Sequence, residues 1–185
     1  MSSPKGILKK YGIFPKKSLG QNFLVDKKIL KKIVDAGELS KEDLVLEIGP
    51  GIGNLTKEIA KKAKKVIAVE KDERMIEILK KELEGFKNVI IKKGDILKKF
   101  DLIVKEIEKE YKVIANIPYY LTSRLIRKLL EAKKKPKLIV LMVQKEVGER
   151  ICAKPPKMNL LAVSVQFYAK PEIVSFVSKN SFWPK

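Results

Sequence analysis

Leu44-Val45-Leu46-Glu47-Ile48-Gly49-Pro50-Gly51-Ile52-Gly53 is the stretch on which the fold turns. Residues suited to a buried strand run into three glycines spaced two apart. Leu55 to Ala63 follows with Leu55, Ile59, Ala60 and Ala63 on one helical face. The same alternation repeats outward from this unit. Lys27 to Ala36, before it, places Ile29, Leu30, Ile33 and Val34 on one helical face. After it come a strand at Val66-Ile67-Ala68-Val69 and a helix carrying Met75, Ile76, Leu79 and Leu83. Strands at Val89-Ile90-Ile91, Val113-Ile114-Ala115 and Leu138 to Val143 follow, each separated by helical sequence. Near-continuous apolar strands alternating with helices are what a parallel sheet covered on both faces requires. The expected class is α/β, a doubly wound, mostly parallel sheet, with ligands received beyond the carboxyl ends of its strands near the switch point. Past Ile151 the alternation lapses. Lys154-Pro155-Pro156-Lys157 breaks the helix, residues 161–168 and 172–177 read as two β segments, and Phe182-Trp183-Pro184-Lys185 is turn-rich with nothing after it to pack.

The chain of 185 residues is long enough for one domain with a substantial core. No apolar run approaches the roughly 20 residues that span a bilayer. Residues 1–17 read as a basic extension without the apolar stretch of a secretory signal. No membrane partner and a cytoplasmic location are therefore expected. Cys152 is the single cysteine and there is no histidine, which excludes an internal disulfide, His-based triads and most zinc sites; no metal is expected. The net charge of +19 suits a polyanionic partner such as RNA, because lysines neutralising phosphates supply the sequence-independent part of nucleic-acid affinity. A solvated Lys/Glu surface of a thermophile would give the same composition.

The glycines at 49, 51 and 53 let the backbone turn sharply and a ligand approach closely. A dinucleotide fingerprint would need its third glycine at position 54, which is Asn54, so a nicotinamide oxidoreductase is disfavoured. The spacing suits a methyltransferase loop instead. Glu70 ends the second strand of this core, where a carboxylate can accept from both hydroxyls of a ribose. Asp95 follows the third strand and can accept from an adenine amino group. With Glu47 they make a pocket electrostatically suited to S-adenosylmethionine, which carries a sulfonium and an ammonium. Each of the three, taken singly, could equally be a surface carboxylate or a helix cap.

Asn116-Ile117-Pro118-Tyr119 ends the next strand. The exocyclic nitrogen of adenine has its lone pair delocalised into the ring and is a poor nucleophile. Acceptors for both amine hydrogens, the Asn116 side-chain oxygen and the Ile117 carbonyl, would draw it toward tetrahedral geometry. Pro118 would stiffen the loop, and Tyr119 offers a ring on which an unpaired base can stack. No strong general base is needed before attack, so catalysis would come from positioning and polarising acceptors. Alone, these residues would also suit a turn with a buried tyrosine.

Together with Ser18-Leu19-Gly20-Gln21-Asn22-Phe23-Leu24, Leu141-Met142-Val143-Gln144-Lys145-Glu146-Val147 and Phe182-Trp183-Pro184, these motifs resemble the KsgA-like small-subunit ribosomal RNA adenine dimethyltransferases, which are related to the erythromycin-resistance rRNA methyltransferases. The resemblance covers residues 18–185. It implies a Rossmann-like S-adenosylmethionine-dependent methyltransferase domain, with Gln21, Asn22, Leu24, Glu47, Gly49, Gly51, Glu70, Asp95 and Asn116 at the cofactor. It also implies that Asn116 and Tyr119 hold the target base, with Phe182 a second stacking aromatic; a plain core or turn aromatic is the other reading of Phe182. The implied activity is N6-dimethylation of adenosines in small-subunit rRNA or a pre-30S-type particle, by a monomer. Family members continue into further strands and a small helical domain that this sequence lacks, so it resembles a truncated N-terminal catalytic domain. Lys157-Met158-Asn159-Leu160-Leu161 also departs from the Tyr-Gly-Arg-Leu-like sequence usual there. An RNA-binding assembly factor of the same fold, and a DNA adenine methyltransferase, are the neighbouring alternatives.

Overall fold

A computed structural model describes residues 4–16 and 19–184. Ser18 of the opening motif, along with residues 1–3, 17 and 185, lies outside the described residues. The strands are β1 (Phe23–Leu24), β2 (Leu44–Ile48), β3 (Lys65–Glu70), β4 (Val89–Lys93), β5 (Lys112–Asn116), β6 (Leu138–Met142) and β7 (Phe182–Trp183). The helices are α1 (Pro4–Lys10), α2 (Lys27–Ala36), α3 (Asn54–Lys62), α4 (Glu73–Glu82), α5 (Ile96–Lys105), α6 (Thr122–Leu130), α7 (Lys145–Ile151) and α8 (Leu160–Gln166).

Five strands form one sheet in the order β4-β3-β2-β5-β6, every neighbouring pair parallel. Alternation along β2 sends Leu46 and Ile48 to one face and Val45 and Glu47 to the other. On the first face Leu46, Ile48, Ile67, Val69, Val113 and Ala115 pack with Ile96, Phe100 and Ile103 of α5 and Leu125 and Leu129 of α6. On the second, Val45, Val66 and Ile114 pack with Leu30, Ile33 and Val34 of α2 and Leu55, Ile59 and Ala60 of α3. The expected doubly wound sheet is the observed one. Its order reverses between β2 and β5, which opens a crevice at their carboxyl ends. Aspartates start the helices that follow β3 and β4: Asp72 accepts from the Arg74 N–H at 3.1 Å and Asp95 from the Leu97 N–H at 3.0 Å, satisfying donors that a helix start leaves open.

The two β segments expected after Ile151 are corrected. Residues 161–168 are not a β segment. Asn159 accepts from the Ala162 N–H at 3.1 Å and starts α8, whose Leu161 and Val165 pack with Ile126, Leu130 and Ile151. The run is apolar enough to satisfy either period, and the cap with its packing decides for helix. Residues 172–177 adopt neither helix nor strand. At the turn-rich end β7 pairs antiparallel with β1, Leu24 opposite Phe182 and Phe23 opposite Trp183, with the last two rings stacked at 6.5 Å. In the basic N-terminal segment, Ile7 and Leu8 of α1 are buried with Phe23, Ile52, Met75 and Ile78. Among the described residues no helix is long and apolar enough to cross a membrane.

Candidate active site

The glycine turn after β2 forms the floor of a cleft at the switch point. Gly49, Gly51 and Gly53 all have positive φ, at 68°, 59° and 84°. At Gly51 a Cβ would also stand 3.0 Å from the Phe23 ring, so a side chain there meets both backbone strain and a wall. The turn is pinned from β3. Glu70, 7% exposed, accepts from the Gly51 N–H at 3.1 Å through one oxygen, and from the Lys71 and Asp72 N–H groups, both at 2.8 Å, through the other. Burial pushes its carboxyl upward while those three N–H groups pull it back.

Asp95 stands one strand further out. One oxygen caps α5, and Oδ2 meets the Lys71 ammonium at 3.0 Å. Burial acts to raise its carboxyl; Lys71 and the Leu97 N–H outweigh that and hold it below the ordinary carboxylate range. Glu47 is the reverse case. It is 1% exposed, and burial pushes its carboxyl up to about 8, against a lowering influence from Thr56 and with a further rise from the Glu70 charge. Glu47 Oε2 has no hydrogen-bond partner.

From β5, Asn116 donates through Nδ2 to the Asn22 carbonyl at 3.3 Å, which leaves its side-chain oxygen free to accept. Asn54 holds the same N-terminal segment through the Leu24 carbonyl at 3.1 Å. Gln21 donates to Asp72 at 2.8 Å and accepts from the Lys16 N–H at 2.8 Å. Its side chain thereby ties Lys16 and Gln21 to the start of α4.

The cleft brings together Gln21, Asn22, Leu24, Glu47, Gly49, Gly51, Glu70, Asp95, Asn116 and Pro118. Ile117, Tyr119 and Phe182 are not among its walls. The Ile117 side chain is buried in the core on the α5 and α6 side. Tyr119 is 43% exposed just past the loop, while Tyr120 and Leu121 line the cleft in its place. Phe182 packs, half-buried, against the α2 and α3 layer, the core placement that the sequence left open. Sequence reasoning missed Lys71, Asp72 and Tyr120. Asp72 does read as a helix cap, but its hold on Gln21 spans 51 residues and has no local signal.

The donor set suits a cationic nucleoside ligand. Buried carboxylates face the cleft, one of them with an oxygen left unpartnered, and a positive charge would offset the cost of burying them. Among the described residues no group of three or more His, Cys, Asp or Glu is placed to hold a metal.

Comparison with known proteins agrees with this geometry. The family described as ribosomal RNA adenine dimethylase matches residues 14–185. A ribosomal RNA small subunit methyltransferase A from Dehalococcoides mccartyi (strain CBDB1) is 43% identical over 184 residues, covering 100% of this chain and 63% of that protein. Its counterpart from Bacillus pumilus (strain SAFR-032) is 48% identical over 189 residues, covering 98% and 64%. The chain thus spans just under two thirds of the length of these relatives. The crystal structure of a dimethyladenosine transferase from Plasmodium falciparum aligns with a TM-score of 0.68 at 38% identity, covering 78% of this chain and 52% of that one. With the switch-point cleft and its strand-end residues in place, the match over nearly the whole chain establishes that it belongs to the ribosomal RNA adenine dimethylase family.

Proposed function

We propose that the chain carries the methyl-transfer site of a small-subunit rRNA adenine dimethyltransferase that uses S-adenosylmethionine. One observation carries the reading: Glu47, the 49–53 turn, Glu70, Asp95 and Asn116 converge on a single cleft at the switch point. The names borne by its relatives, ribosomal RNA small subunit methyltransferase A and dimethyladenosine transferase, support it.

S-adenosylmethionine supplies a methyl group on a sulfonium that departs as a neutral thioether. Glu70 has lone pairs beyond those its backbone donors occupy, and at the end of β3 these accept from ribose hydroxyls. Asp95 accepts from the adenine amino group of the same ligand, and Glu47 receives its cationic amino-acid end. The turn at Gly49 and Gly51, without Cβ atoms, lets the ligand lie against the backbone.

Asn116 and the Ile117 carbonyl act on the RNA base. With Nδ2 committed to the Asn22 carbonyl, the Asn116 oxygen accepts one amine hydrogen and the Ile117 carbonyl the other. N6 is drawn toward tetrahedral geometry and its lone pair is freed. That pair would be free to take the methyl group the sulfonium supplies, the C–S pair staying with sulfur and the surplus N6 proton going to solvent. Two rounds yield dimethyladenosine. Pro118 keeps the carbonyl aimed, and Tyr119, exposed beside the loop, offers a stacking face. The second stacking role of Phe182 would need its ring to leave the α2 and α3 layer. The net charge of +19 suits an RNA partner.

The test is incubation with methyl-labelled S-adenosylmethionine and small ribosomal subunits lacking the modification. Label in N6-methylated adenosine is expected. Absence of S-adenosylmethionine binding would end the reading, and binding without transfer would favour an RNA-binding assembly role.

A further inference from the structure

The chain carries 41 lysines and arginines, yet among the described residues Lys71 alone of these lines the cleft, where Glu47, Glu70, Asp72 and Asp95 also stand. Its place follows from the sheet. The Gly94 N–H donates to the Glu70 carbonyl at 2.8 Å, so β3 and β4 stay paired to their carboxyl ends. Lys71 and Asp95 leave those ends side by side. The Lys71 N–H is taken by Glu70 at 2.8 Å, and its ammonium reaches Asp95 Oδ2 at 3.0 Å. An ammonium has three N–H donors, of which Asp95 takes one. A donor and an acceptor thus stand 3.0 Å apart at the edge of the cleft. Adenine presents the complementary pair: an amino group that donates and, beside it, a ring nitrogen that accepts. Paired edges of this kind are how Asn and Gln read adenine in nucleic acids. A carboxylate alone meets only the amino group.

We propose that Lys71 is a specificity-determining residue for the methyl donor: its ammonium, held beside Asp95, donates to the ring nitrogen next to the amino group that Asp95 receives. This rests on the S-adenosylmethionine reading and adds to it a second contact on the adenine edge. An exposed ion pair contributes little to stability by itself, so the Lys71–Asp95 pair acts through the ligand it frames. Asp95 Oδ2 has a lone pair for each donor, the ammonium and the amino group. The ammonium therefore stays in place when adenine enters.

The experiment measures binding by calorimetry to the wild type, Lys71→Met and Lys71→Arg. The probes are S-adenosylhomocysteine and its 1-deaza and 7-deaza analogues, each with a ring nitrogen beside the amino group replaced by C–H. Affinities are compared as ratios within each protein, so the general effect of losing a positive charge cancels. In the wild type one of the analogues is expected to bind about tenfold more weakly than the parent. In Lys71→Met, which keeps the length of the side chain without the ammonium, that analogue and the parent should bind alike. Lys71→Arg, which keeps a donor, should retain most of the difference. The Lys71 side chain is half-exposed, so neither variant is expected to disturb folding, and a thermal melt checks this. Equal binding of all three probes by the wild type, or a difference that Lys71→Met leaves in place, overturns the inference. So does tighter binding of all three by Lys71→Met in equal measure, the mark of an ammonium that only blocks Asp95. Each of these leaves the cofactor reading standing. A wild type that binds none of the probes ends both.

Discussion

In the proposed function Asn116 is the residue on which chemistry, beyond binding, would depend. Its amide is fixed by the Asn22 carbonyl at 3.3 Å, so its oxygen is already oriented before a base arrives. Replacing it with Ala is expected to lower transfer at saturating S-adenosylmethionine roughly 10²–10³-fold, the size seen when one polarising partner is removed. A single-turnover assay, with a binding titration to establish saturation, checks this. Glu47 carries a pH prediction. Its carboxyl is raised to about 8 in the folded protein from an ordinary 4.5. Its contribution to stability is thus fully present below about pH 4.5 and is lost as pH rises through about 8. Between about pH 5 and 9 the wild type should lose on the order of 3 kcal/mol relative to Glu47→Gln in denaturant melts; a constant difference between the two would refute that. Glu70, Asp95 and Asn116 were legible in the sequence because each follows an apolar strand run. The hold of Asp72 on Gln21 was not, because it joins residues 51 positions apart and no local pattern encodes that.

At the scale of elements, the alternation of strands and helices through Ile151 could be read directly, since fully apolar strands and 3.6-period helices differ in pattern. α8 could not. Leu160 to Gln166 is apolar on nearly every side, and Leu160, Val163 and Phe167 remain exposed on one stripe, so periodicity had nothing to separate. The β1–β7 pair was equally hidden, because it joins residues about 160 positions apart. One connection offers a sharp stability test. The buried ammonium of Lys112 at the start of β5 donates to the Gly37 carbonyl at 3.1 Å, the Glu38 carbonyl at 2.6 Å and Asp43 at 3.2 Å. It thereby closes the turn between α2 and β2, where Glu38 has a φ of 46°. Lys112→Met removes all three contacts and leaves Asp43 without that partner. A loss of about 3 kcal/mol is expected in chemical denaturation, and an unchanged midpoint would show the turn to be held by other contacts.

For the whole molecule, the proposed function divides the work between the excess of lysine, which would attract RNA, and the cleft, which would hold the methyl donor. Much of the cationic surface is internally paired, as Lys57 is with Glu82 and Lys128 with Asp101, yet the net charge remains +19. Affinity for unmodified small-subunit RNA is therefore expected to fall by about 10²-fold or more between roughly 50 and 200 mM salt, while S-adenosylmethionine affinity changes far less. Filter binding at several salt concentrations checks this. The central claim, that the strand-end residues share one methyl donor beside Asn116, is tested most directly by a crystal structure with S-adenosylhomocysteine bound. The account predicts ribose hydroxyls on Glu70, the adenine amino group on Asp95 and the sulfur directed toward Asn116. A ligand seated elsewhere, or lying in the cleft without touching Glu70 and Asp95, would contradict it.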